Sequence, residues 1–73
     1  MNKDTLGGRI RTRRQEAGIS QLQLADRANI SQPYVSELEK GKFDPTVTVL
    51  LRIAKALKVP VGELLGEEGG AEK

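Results

Sequence analysis

The 73-residue sequence contains neither cysteine nor histidine, and its aromatic side chains are limited to Tyr34 and Phe43. Without cysteine and histidine the chain has no thiol nucleophile, no imidazole base, no disulfide and none of the usual zinc ligand sets. No carboxylate cluster or pairing of a nucleophile with a base stands out either. We therefore expect no enzyme activity, no cofactor and no metal.

Long apolar runs are also missing, since none approaches the ~20 residues that a membrane span requires. The first residues lack the apolar centre of a secretory signal. We therefore expect a soluble, cytoplasmic protein with no membrane partner. The length fits one small domain. With 37% hydrophobic residues and few aromatics, the core must be mainly aliphatic, which favours helices over a β sandwich.

Basic side chains are concentrated early in the chain, where residues 1–42 carry eight basic and five acidic groups. Four arginines at positions 9, 11, 13 and 14 supply most of this excess. A basic stripe of this kind either faces phosphate groups or forms an ordinary solvated helix face. Composition leaves both readings open.

Apolar spacing and capping residues predict five helices. The second opens with the capping-box pattern Ser20-x-x-Gln23, and Asn29 after it suits a left-handed turn residue. Ser31 is the expected cap of the third helix, and Pro33 is tolerated in its first turn. The predicted ranges, caps included, are 5–17, 20–28, 31–41, 47–57 and 61–65.

The apolar positions of these helices are expected to form the core. Gly7 and Gly8 weaken the first turn of the first helix by roughly 1 kcal/mol each relative to alanine. The expected core positions are Leu6, Ile10, Ala17, Leu22, Leu24, Ala25, Ala28, Val35, Leu38, Val47, Leu50, Leu51, Ile53, Ala54, Leu57, Leu64 and Leu65.

Two short helices joined by a tight turn describe a helix-turn-helix, with Ala25 small enough to let Val35 of the second helix approach. Over residues 6–65 the sequence resembles the Cro and phage-repressor type of helix-turn-helix domain, the XRE family. The matching register is Gln21, Leu24, Ala25, Asn29, Ile30, Val35 and Leu38, with the flanks "GGRIRTRRQEAGIS" and "FDPTVTVLLRIAKALKVPVGELL".

The resemblance implies an all-α, five-helix, lambda-repressor-like bundle whose helix-turn-helix unit spans residues 21–40. It also implies an N-terminal arm over residues 1–5, a DNA-binding domain over residues 6–65 and a flexible acidic tail over residues 66–73. Two departures affect details: Asn29 replaces a turn glycine, and Pro60 stands where many members have a serine or threonine cap.

The resemblance implies that the third helix is the recognition helix and that its N-terminus lies in the major groove. The residues implied to face base edges are Gln32, Pro33, Ser36 and Glu37. Those implied to lie nearer the DNA backbone are Ser31, Tyr34, Lys40 and Lys42, with Gln21 bonded to a phosphate. Glutamine pairs well with adenine, whereas Glu37 either accepts from cytosine or is repelled by phosphate, and the sequence leaves this open.

The resemblance also divides the arginines of the first helix. Arg14 would form a buried or half-buried ion pair with Glu39 at the end of the third helix, as in other family members. Arg11 and Arg13 are then the candidates for phosphate contacts. In that case removal of Arg14 reduces stability before it affects contacts with DNA.

These expectations together predict a sequence-specific transcriptional regulator, a repressor that binds a palindromic operator in double-stranded DNA as a homodimer. The dimer contact is expected near Val49, Arg52, Lys58 and Val61. One alternative is an antitoxin or restriction–modification controller that represses its own operon, with a toxin or co-regulator as protein partner. A further alternative is a protein-interaction module on the same scaffold.

Overall fold

The computed structural model describes residues 5–66, and over that range the chain forms five helices and no strand. The predicted all-α class is confirmed, and each helix lies within two residues of its predicted range. None of the five is long and apolar enough to cross a bilayer. Residues 1–4 of the expected arm and 67–73 of the expected tail lie outside the described residues. The helices are α1 (Leu6–Glu16), α2 (Gln21–Ala28), α3 (Gln32–Glu39), α4 (Val47–Leu57) and α5 (Val61–Leu65).

The first four helices begin at hydroxyl caps. Each cap oxygen accepts a hydrogen bond from the backbone N–H three residues later, which satisfies one of the N–H groups that a helix start leaves without a partner. The capping box of α2 is confirmed: Ser20 N–H donates to Gln23 Oε1 at 2.8 Å and Gln23 N–H to Ser20 Oγ at 3.0 Å. The residue at the N-cap position of the fifth helix is Pro60, whose side chain makes no capping hydrogen bond. The four caps are Thr5, Ser20, Ser31 and Thr46.

The turn between α2 and α3 depends on a left-handed residue. Asn29 has φ 59° and ψ 47°, as predicted, and the next N–H, from Ile30, donates to the Ala25 carbonyl at 2.9 Å. Lys58 adopts the same conformation after α4, with φ 61°. The sequence pattern did not anticipate this second left-handed residue.

α2 lies at the centre of the bundle and packs against α3 and α4, while α1 packs against α3 and α5. Ala25 and Val35 are both buried, as the helix-turn-helix pattern requires. The buried apolar residues are Ile10, Ile19, Leu24, Ala25, Ala28, Val35, Leu38, Leu50, Ile53, Ala54, Leu57 and Leu64.

Several apolar residues expected in the core are exposed instead. α2 buries only the stripe of Leu24, Ala25 and Ala28, and Leu22 lies about 200° around the helix from Leu24. In the single turn of α5, Leu64 takes the inward position, so its neighbour Leu65 points outward. The exposed residues are Ala17, Leu22, Val47, Leu51 and Leu65.

Gly7 explains why α1 carries a glycine that weakens its first turn. A Cβ at this position would overlap the carbonyl oxygen of Leu38 and lie 3.0 Å from that of Glu39. The start of α1 therefore rests directly on the backbone at the end of α3. A side chain of any size would push the two helices apart.

The Gly7→Ala substitution should lower the free energy of unfolding by about 1–3 kcal/mol, although alanine favours helices, because the overlap is with backbone. Urea unfolding followed by circular dichroism measures the change. Gln15→Ala, at an exposed position of the same helix, should stay within about 0.5 kcal/mol of the parent. A Gly7→Ala protein more stable than the parent would contradict the close contact.

Candidate nucleic-acid interface

The first turn of α3 presents a polar surface. Ser31 Oγ accepts from Tyr34 N–H at 3.2 Å, and Pro33 lies in the first turn, where its missing N–H removes no helical bond. Since Val35, Leu38 and Glu39 are buried, the remaining positions of α3 lie on the outer side. Each predicted contact residue of this segment is exposed or half-buried: Ser31, Gln32, Pro33, Tyr34, Ser36, Glu37, Lys40 and Lys42.

Behind this surface, Arg14 and Glu39 form the ion pair that the resemblance implied. Arg14 Nε donates to Glu39 Oε2 at 2.7 Å, and a terminal guanidinium nitrogen, Nη2, donates to Oε1 at 3.0 Å. The side chains are 11% and 1% exposed, so the pair lies in the interior. The third nitrogen, Nη1, donates to the Ile19 carbonyl at 3.0 Å. Arg14 thus connects α1, the turn after it and the end of α3.

Gln21 extends this network to the outer surface. Its Nε2 donates to Glu39 Oε1 at 3.0 Å, and its Oε1 accepts from Gln32 Nε2 at 2.8 Å. Two residues predicted separately for DNA contact are therefore in direct contact with each other. An amide nitrogen carries two hydrogens, so the bond to Glu39 leaves Gln21 a second donor for the predicted phosphate contact.

Tyr34 is held against Phe43, which follows α3 in the chain. The ring centroids lie 4.8 Å apart with the planes tilted by 57°, a favourable geometry for aromatic pairs. Both residues are half-buried. The contact anchors the loop that carries Lys42 beside the outer surface of α3. The sequence pattern missed this role for Phe43, although two aromatics nine residues apart are the only ones present.

The arginines of α1 have different environments. Arg13 forms ion pairs with Glu16 and with Glu63 of α5, each at 3.3 Å, which places it on the side of α1 that meets α5. Arg11 is exposed. The structure therefore separates two residues that the sequence grouped, and their phosphate contacts stay predictions. Of the two, Arg11 has the side chain more accessible to a ligand.

Two other arginines bind helix ends, a role that sequence reasoning missed. Arg9 Nε donates to the Leu64 carbonyl at 2.7 Å, and Arg52 Nε donates to the Ala28 carbonyl at 3.0 Å. The last carbonyls of a helix have no partner within it, so each guanidinium satisfies one. Arg52 was predicted for the dimer contact, and its bond to α2 shows that it also connects helices within the chain.

A family model described as helix-turn-helix matches residues 10–64 of the chain, well over half of it. The chain belongs to the helix-turn-helix family of the Cro and phage-repressor type. One relative is the immunity repressor protein of Bacillus phage phi105, 38% identical over 64 residues. The match covers 88% of this chain and 44% of that repressor, so the chain spans less than half of the relative's length.

Solved structures agree with the family. The crystal structure of the P22 c2 repressor in complex with a synthetic operator matches with a TM-score of 0.78 and 32% identity, over 82% of this chain and 91% of that one. The crystal structure of the restriction–modification controller protein C.AhdI of Aeromonas hydrophila matches with a TM-score of 0.79 and 32% sequence identity. The match covers 81% of this chain and 86% of that one. The predicted lambda-repressor-like bundle is confirmed for this helix-turn-helix chain.

Removal of Arg14 should strongly destabilise this helix-turn-helix domain. In Arg14→Ala the Glu39 carboxylate stays buried without its cation, at a cost of about 3–5 kcal/mol. Since 1 kcal/mol shifts the melting temperature of a domain this size by about 4–8 °C, thermal unfolding measures the loss.

Arg13→Ala is the matched control, because it removes an arginine of the same helix from ion pairs near the surface. Such pairs contribute at most about 1 kcal/mol. Equal melting temperatures for the Arg13 and Arg14 variants would contradict a structural role for the buried pair.

Proposed function

We propose that the chain is the DNA-binding part of a sequence-specific transcriptional regulator, most simply a repressor of a palindromic operator. The observation that carries this proposal is the head of α3, where a capped polar turn is supported from behind by hydrogen-bonded side chains. The P22 c2 repressor, a structural relative, was solved on a synthetic operator, which supports the same role here. No step of this function is catalytic, and it takes place on DNA in the cytoplasm.

In the proposed complex, α3 lies in the major groove with its first turn against the bases. Gln32 reads adenine through its amide, Ser36 donates or accepts, and Pro33 contacts a thymine methyl group. Glu37 is exposed on the same helix and accepts from a cytosine amino group. These side chains supply the sequence preference.

Phosphate contacts fix the position of the domain on the duplex and supply much of the affinity. Lys40 and Lys42 follow the end of α3, and both are exposed. Ser31, Tyr34 and the second amide hydrogen of Gln21 lie around the head of α3. Arg11, exposed on α1, contributes a further cation, and Arg13 a weaker one because it is already paired with Glu16 and Glu63.

Two copies of the chain act together on DNA, because one recognition helix covers only one half-site. The proposed contact between copies is the region of α4 and α5 around Val49, Lys58 and Val61. Val49 and Val61 are half-buried and Lys58 is exposed, so this region is accessible in the single chain. The half-sites then lie about 34–36 Å apart.

A second candidate function is control of a restriction–modification system or of a toxin–antitoxin operon. The likeness to C.AhdI, a restriction–modification controller protein, supports the first of these. In either case the DNA-binding surface is the same, and only the regulated operon and the protein partner differ. A toxin or methylase reading frame next to the gene would favour this candidate.

Substitutions at two positions should separate base reading from phosphate binding. Gln32→Ala should change the sequences selected from a random DNA pool at one position of each half-site. Arg11→Ala should weaken all sites similarly and reduce the slope of log affinity against log salt by about one. A Gln32→Ala protein with unaltered sequence preference would remove the central claim.

If two copies bind one operator together, their joint binding should depend on the spacing between the half-sites. Sedimentation should show two chains on one operator, and insertion of five base pairs between the half-sites should abolish joint binding, because it moves them to opposite sides of the duplex. A single chain per operator at saturating protein concentration would contradict the dimer and leave DNA recognition by each copy untouched.

A further inference from the structure

Pro33 and Glu37 are the two residues of α3 that point furthest away from the rest of the domain. They are exposed, whereas every other residue of this helix is half-buried or buried. At about 100° per residue they lie about 40° apart, and both lie within about 30° of the direction opposite the buried stripe. That stripe is Val35, Leu38 and Glu39. An apolar ring and a carboxylate are therefore neighbours on the outermost line of the helix proposed to enter the major groove.

The Glu37 side chain is available to a ligand at this place. Within residues 5–66 its carboxylate makes no hydrogen bond or ion pair. Helical side chains lean towards the helix N-terminus and cover the turn before their own Cα. The Glu37 carboxylate can therefore lie beside the Pro33 ring, one turn earlier in α3, and the two groups can face the same base.

The two groups together match the edge of one kind of base. A carboxylate needs a hydrogen-bond donor, and in the major groove the donors are the amino groups of adenine and cytosine. At adenine the amino group lies next to the acceptor N7, which repels a carboxylate. At cytosine the amino group N4 lies next to carbon 5, which has no lone pair. Glu37 is therefore better matched to cytosine, with Pro33 beside it for an apolar contact at carbon 5.

We propose that Pro33 and Glu37 read a single base together and that this base is 5-methylcytosine. Glu37 accepts from the amino group N4, and Pro33 packs against the methyl group at carbon 5. Thymine carries the same methyl group but has the acceptor O4 in place of the amino group, so Glu37 rejects it. The inference rests on the proposed function and refines it, because it assigns the methyl group opposite Pro33 to a methylated cytosine instead of thymine.

Synthetic operators that differ in one base test this with the unaltered protein. In the operator selected from a random unmethylated pool, each cytosine is replaced in turn by 5-methylcytosine or by thymine, and affinities are measured by fluorescence anisotropy at one salt concentration. At one position of each half-site, 5-methylcytosine should bind about three- to fivefold tighter than cytosine, the effect of burying one methyl group. It should bind about tenfold or more tighter than thymine.

Two substitutions at exposed positions should separate the two halves of the contact. Glu37→Gln replaces a pure acceptor by an amide that also donates, so the preference for 5-methylcytosine over thymine should fall towards one while the gain from the methyl group remains. Pro33→Ser removes the apolar ring, so the gain from the methyl group should disappear while thymine is still rejected. Glu16→Gln, the same change at an exposed position of α1, should leave both ratios unchanged.

The outcomes separate this inference from the proposed function. If no cytosine of the operator shows both effects with the parent protein, the inference is wrong and sequence-specific binding stands. Effects that persist unchanged in Glu37→Gln and in Pro33→Ser would also overturn it, because other residues would then read the base. If either variant fails to fold in a thermal melt, the measurements on the parent decide alone. A parent protein that selects no sequence at all would refute the proposed function itself.

Discussion

The buried ion pair between Arg14 and Glu39 is the constraint on which the arrangement of the helices depends. Glu39 is 1% exposed, and its two oxygens accept three hydrogen bonds from Arg14 and Gln21. Burial of a carboxylate is costly unless such partners are present, so α1, α2 and α3 can pack only where all of them meet. Among the described residues, no buried side-chain nitrogen or oxygen lacks a partner. The same pair that orders the interior also fixes the amide of Gln21 behind the proposed DNA-binding surface.

The shortness of the helices is a second constraint on this small domain. In a helix of five or eight residues, most backbone N–H and C=O groups lie near an end, where they have no partner within the helix. Hydroxyl caps satisfy the starts of four helices, and arginines from distant parts of the chain satisfy the ends of two. Arg9 reaches the last turn of α5 and Arg52 reaches the last residue of α2. A basic composition therefore serves the fold as well as the proposed contact with phosphate. The charge available to DNA is smaller than the number of arginines suggests.

Much of the helical structure was predictable because it depends on neighbouring residues. The capping box at Ser20, the cap at Ser31 and the left-handed Asn29 each require atoms within five residues, and the structure contains all three. The ion pair of Arg14 was expected only through the resemblance to a family. Leu22 and Val47 were wrongly predicted to be buried. Helical spacing identifies the apolar face of a helix but not how much of that face a partner helix covers.

The sequence by itself determined the helix boundaries, the helix-turn-helix unit and the polar character of the head of α3, because these follow from spacing and capping along the chain. Only the tertiary structure decided which arginines donate to backbone carbonyl groups, which form ion pairs with glutamate side chains and which remain exposed. It also decided that Gln21 and Gln32 touch, and in which direction their amides point. These outcomes depend on which helix ends meet in space, a property that residues far apart in the chain settle together.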